Sequence, residues 1–175
     1  NWVKNIEVYD SSFTDNSAPR GGGARISGEP GLEASLLLDN CSFYGNFGDV
    51  YGGGVYAYDI KNTEIVKSNF DGNGAETGAG FYTQAGSSIT SSLLVETTQF
   101  VSNTAALGGG GLYPLNISSS TVSDCTFQDN DAIYGGGLRA LNNDGLFTTL
   151  TATNLQFIDN TGSYGAGLYT GNISQ

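Results

Sequence analysis

Carboxylates offer the first chance of chemistry in this chain. Asp15, Asp129 and Asp159 each stand two residues after a phenylalanine, in the phrases FTDN, FQDN and FIDN. Carboxylates clustered at a fixed offset are what acid/base hydrolysis or a Ca²⁺ site requires. The equivalent positions elsewhere are Gly45, Gly72 and Ser102, so only Asp129 and Asp159 would be neighbours. A polysaccharide lyase or hydrolase would also need a Lys or Arg at the reacting carbon. Histidine is absent, and Lys4, Arg20, Arg25, Lys61, Lys67 and Arg139 are scattered. Solvated carboxylates are therefore expected, with no catalytic residue, no metal and no cofactor.

A second set of residues follows six glycine motifs: GGGAR, GGGVY, GAGFY, GGGLY, GGGLR and GAGLY. Their last positions are Arg25, Tyr56, Tyr82, Tyr113, Arg139 and Tyr169. On strands stacked ~4.8 Å apart these would form one outward aromatic and cationic stripe. Such a stripe can bind sugar faces, with arginine beside tyrosine adding ~0.5–1 kcal/mol at exposed sites. A self-stabilising ladder, or a seam under a neighbouring chain, is the expectation placed ahead of it. Cys41 and Cys125 fall in one column three repeats apart, ~14 Å at that spacing and too far for a disulfide. They are expected to be small buried core residues without redox or metal chemistry. No threonine column runs through all the repeats, which argues against an ice-binding array.

What positions these residues is a repeat. FTDN, FYGN, FDGN, FVSN, FQDN and FIDN begin at Phe13, Phe43, Phe70, Phe100, Phe127 and Phe157, spaced 30, 27, 30, 27 and 30 residues apart. A glycine triplet follows each phenylalanine by eight or nine residues. A phosphate loop would occur once and carry a Walker lysine, and a linker would not keep an aromatic and an asparagine in register. The intervening runs are short, rich in Thr, Val, Ile and Tyr, and broken by Gly, Asn, Asp and Ser, which reads as strands and turns.

The expected fold is all-β, a right-handed parallel β-helix of about six rungs of 27–30 residues, with three short strands per rung. Residues 1–175 form one such segment. Phe13, Phe43, Phe70, Phe100, Phe127 and Phe157 should stack inside. Asn16, Asn46, Asn73, Asn103, Asn130 and Asn160 should form an inward amide ladder at a bend, where asparagine tolerates left-handed backbone angles. Ala79 and Ala166 at the middle of two triplets imply that the first and third glycines carry the stricter requirement.

The pairing of F-x-x-N with G-G-[AG]-[aliphatic] resembles the repeats of the chlamydial polymorphic outer membrane proteins and related β-helical surface proteins. The resemblance covers all six repeats. It implies a surface-exposed adhesin or stalk with no catalytic residue to carry over. The sequence has no autotransporter barrel, and it has glycine where that family usually has alanine.

Seventeen acidic against six basic residues, a net charge of −11, argue against nucleic-acid or anionic-membrane partners. No stretch approaches the ~20 apolar residues of a membrane span, so no direct membrane insertion is expected. Methionine is absent and neither end has a capping element, so a piece of a longer solenoid, or a unit stacked end to end on like subunits, is expected. Sequons at Asn40, Asn116 and Asn172 suit an extracellular or cell-surface glycoprotein. The leading expectation is a non-catalytic structural block of a stalk, fibre or appendage. Behind it stand an adhesin binding glycans through the stripe or the loops 29–34 and 142–146, and then a polysaccharide-active enzyme.

Overall fold

The computed structural model describes residues 4–29, 33–86, 90–143 and 148–171. The first rung shows the plan: β1 (Asn5–Tyr9), β2 (Ser12–Thr14), β3 (Ser17–Arg20) and β4 (Ala24–Ser27). Each strand pairs in parallel with its counterpart one repeat later, so Ile6 meets Leu36, Phe13 meets Phe43, Ala18 meets Gly48 and Ala24 meets Val55. The chain is thus a parallel solenoid whose first, second and fourth sheets each have six strands.

The third sheet corrects the expected three strands per rung. It holds four strands, and later rungs continue it only as isolated bridges at Asp131 and Tyr134, then Thr161 and Tyr164. Its first strand reads SAPR, with a proline at the edge of the sheet, and its inner column is Ala18, Gly48, Ala75 and Ala105. Small residues are needed because this sheet lies directly on the glycine turn. A Cβ on Gly53 would come within 2.4 Å of the Gly74 carbonyl oxygen.

Each rung turns three times through left-handed backbone, at columns beginning with Asp10, Asp15 and Gly21, and the second and fourth rungs turn once more, at Asp59 and Asn116. The second of these columns corrects the expectation for asparagine. The residue with positive φ is the one before it: Asp15, Gly45, Gly72, Ser102, Asp129 and Asp159, at 49° to 64°. Asp, Gly and Ser share this position because each enters the left-handed region at low cost, the polar ones by local hydrogen bonding.

Inside, Phe43, Phe70, Phe100 and Phe127 are fully buried, flanked by partly buried Phe13 and by Phe157. Neighbouring rings stack nearly parallel, 4.7–5.1 Å between centres. Leu38, Ile65, Val95 and Val122 from the first sheet, and Val55, Phe81, Leu112 and Leu138 from the fourth, complete the core.

Rung length alternates for two reasons in antiphase. The third-sheet strands Phe47–Tyr51 and Thr104–Gly108 carry one extra residue, a bulge against their four-residue neighbours. From the first glycine of each triplet to the next phenylalanine, the distances are 22, 18, 22, 18 and 22 residues. The longer connections therefore fall on every second rung, around 28–34, 85–91 and 142–148, each including residues outside the described set.

Candidate functional site

The asparagine column lies at the corner between the second and third sheets. Asn103 Nδ2 donates to the Phe70 carbonyl (2.8 Å) and to Asn130 Oδ1 (2.9 Å). Its Oδ1 accepts the backbone N–H (3.0 Å) and Nδ2 (2.9 Å) of Asn73. The same pattern links Asn16 to Asn46, Asn46 to Asn73 and Asn130 to Asn160. Every polar atom of a central amide is occupied within the stack, and none is presented to a ligand.

A second ladder was not legible as such. Ser11, Cys41, Ser68, Thr98 and Cys125 occupy the small inward column, and each donates its hydroxyl or thiol to the carbonyl two residues earlier. That bond spans the left-handed residue at the first corner and holds it. Ser68 Oγ in turn accepts the Cys41 backbone N–H at 3.1 Å. The only available signal was that serine, threonine and cysteine share one donor group, where size alone would equally allow alanine. Burial pushes both thiols up, Cys125 to about 11, so neither is a nucleophile at neutral pH.

Asp15, Asp129 and Asp159 are corner residues. Asp129 takes a hydrogen bond from Gln128 Nε2 at 3.0 Å, and Asp15 fills space that a Cβ on Gly45 would enter. Among the described residues, no group of three or more His, Cys, Asp or Glu could hold a metal ion.

The tyrosine stripe follows the ladder expectation and corrects the alternative of an exposed platform. Tyr56, Tyr82 and Tyr113 point away from the inner core as expected, yet they are only 5%, 2% and 4% exposed. They face a column on the third sheet across the glycine turn, beginning with Arg20 and Tyr51 and ending with Tyr134 and Tyr164. Tyr51 stacks on Tyr82 and Tyr56 at 5.0 and 5.7 Å, and Tyr134 meets Tyr169 at 5.4 Å. Arg139 lies over the rings of Tyr113, Tyr134 and Tyr169 at 4.7, 5.1 and 5.8 Å. Gly108 makes room for it, since a Cβ there would fall 2.3 Å from the guanidinium. The result is a closed aromatic wall, a second core outside the first. Burial raises the hydroxyl pKa of Tyr56, Tyr82 and Tyr113, with Arg139 opposing it at the latter two. Both ends of the wall are open to solvent, at Arg20 and Arg25 on the first rung and at Tyr164, 55% exposed, on the last.

Two sequons sit at left-handed corners. Asn40 is exposed and its Nδ2 donates to Asp10 Oδ1 at 2.6 Å. Asn116 is half-buried, and its Oδ1 accepts the Asn143 backbone N–H at 2.8 Å. Asn172 lies outside the described residues.

Comparison with known proteins finds no match among curated proteins and none among solved structures. A family model described as a right-handed beta helix region matches residues 3–174, almost the whole chain. With its parallel rungs and unbroken ladders, the chain belongs to the right-handed β-helix family.

Proposed function

We propose that this chain is a structural block of an extracellular stalk, fibre or surface appendage, without catalytic activity of its own. The observation that carries the reading is where the polar side chains go. Asparagines, the Ser68 and Thr98 hydroxyls and the two thiols bond to the rung above or below, Asp10 and Asp124 take hydrogen bonds from the next rung, and the buried tyrosines pack against their neighbours. Such side chains serve the continuity of a rod rather than a pocket. A further rung of the same kind would continue the stacks at Phe157 and Leu168, 36% and 39% exposed, as Phe127 and Leu138 are continued one rung earlier. The likeness of the motif pair to chlamydial surface-protein repeats fits the same role. The sequon at the exposed Asn40 corner fits an extracellular setting.

The test is assembly. Sedimentation and negative-stain imaging of the purified chain over a wide concentration range should show end-to-end association, abolished by Phe157→Asp with Leu168→Asp. A monomer at every concentration, together with turnover of a polysaccharide, would overturn the proposal.

A further inference from the structure

The second rung carries an aromatic on each side of one corner. Tyr44 ends the strand Ser42–Tyr44 of the second sheet, and Phe47 begins the strand Phe47–Tyr51 of the third. Both face outward and are 52% and 49% exposed. They lie on the flank of the solenoid between rungs that continue on either side, so a stacked rung does not cover them. No other rung repeats the pair: Tyr44 pairs with Thr14 and Asp71, and Phe47 with Ser17 and Gly74. The third rung makes room beside them. A Cβ on Gly74 would meet only the Phe47 ring, at 3.1 Å, and its φ is not positive, so glycine there serves to seat that ring. A Cβ on Gly72 would meet nothing within 4 Å, which leaves an open recess at the corner. Carboxylates surround the rings. Asp71 stands beside Tyr44 on the next strand, and Asp15 Oδ1 lies 2.4 Å from where a Cβ on Gly45 would be. Asp49 follows Phe47 by two residues on the same outer face, and Glu76 follows Gly74 likewise. Like charges on neighbouring strands repel. Among the described residues the one ion pair is Lys61 with Glu33, so none of these four is ion-paired within the chain.

We propose that this corner docks an arginine-rich segment of a protein partner, its guanidinium groups lying on the Tyr44 and Phe47 rings and its charge meeting the carboxylates. A guanidinium is planar and weakly hydrated, and it can lie on a ring face while its edge forks to a carboxylate. The rings supply contact area, and the carboxylates select the sign of the partner and speed the encounter. A choline headgroup fits less well, because its phosphate would face the same carboxylates. The inference goes beyond the building-block reading and does not depend on it.

Fluorescence anisotropy of a labelled peptide of alternating arginine and alanine, titrated with the whole chain, tests it. Saturable binding is expected, weakened ~10-fold by Tyr44→Thr with Phe47→Ser. That variant keeps the net charge and takes the residues the first rung already has in those columns, so it should melt like the parent protein. Asp71→Asn with Glu76→Gln should weaken binding more than Glu64→Gln with Glu96→Gln, which removes equal charge from the outer face of the first sheet. Four results would overturn the proposal: no saturable binding, unchanged affinity in the aromatic variant, equal losses from the two charge-matched pairs, or displacement of the peptide by phosphatidylcholine vesicles, which would assign the corner to a lipid headgroup.

Discussion

Replacing Asn103 by alanine isolates what the amide ladder contributes. Asn103 is fully buried, and its Oδ1 accepts both the backbone N–H and a side-chain hydrogen of Asn73. Alanine leaves those two buried donors without an acceptor, at about 1–3 kcal/mol each, so about 2–6 kcal/mol in all. The Phe70 carbonyl and Asn130 Oδ1 lose a donor as well, a smaller effect because an oxygen with two lone pairs tolerates it better. For a domain of this size that corresponds to a fall in Tm of roughly 10 °C. Asn16→Ala is the internal control. Asn16 is exposed and donates to Asn46 Oδ1, which still accepts the Asn16 backbone N–H after the change. No buried donor is orphaned there, so the cost should stay below about 1 kcal/mol. Urea unfolding followed by circular dichroism gives both values, and hydrogen exchange at the Asn73 amide should accelerate only in Asn103→Ala. Equal destabilisation by the two substitutions would refute the orphaned-donor reasoning and leave packing as the ladder's contribution.

Other consequences follow from the corners, the wall and the buried thiol. Gly80→Ala places a Cβ about 2.4 Å from the Gly111 carbonyl oxygen, and should cost more than ~3 kcal/mol or prevent folding; a soluble variant with a parent-like melt would contradict the close approach. Ala79→Gly, at a middle position that already tolerates glycine elsewhere, should cost only about 1 kcal/mol by thermal melting. Arg139→Gln removes a cation from over three rings and should cost about 1–2 kcal/mol with little dependence on salt, since no ion pair is lost; a steep salt dependence would point to an unseen carboxylate partner. The Cys125 thiol keeps its proton in the fold to about pH 11, against an ordinary value near 9.0, so stability should be intact below pH 9.0 and fall as pH rises toward 11. Cys125→Ser should retain the corner hydrogen bond and reduce that alkaline loss, measured as urea midpoints across the pH range.

The phenylalanine and asparagine columns were legible because one residue type recurs at one offset in every repeat. The first corner was only half legible. Ser, Cys and Thr alternate there, and their common donor matters only once the left-handed residue before them is placed. The additional, third-sheet strand hid in SAPR and GAET, which are short, rich in small residues and, in the first case, contain proline, all marks of a loop when local propensity is weighed alone. The exposed-platform reading of the tyrosines fails for a geometric reason. Alternation along a strand tells which side of its sheet a residue faces, but at a tight corner the outer sides of two sheets face each other. Outward and solvent-exposed then cease to mean the same thing.

The antiphase of bulge and long connection gives the solenoid a grammar of pairs. Its unit of duplication or deletion is two rungs, because excising one rung would set two long connections side by side on the same edge, or two bulges against each other. Excising a pair leaves every junction with the neighbours it already tolerates. The long connections recur about 10 Å apart along one edge. They are the places where foreign loops can be grafted at regular intervals without altering the register beneath them.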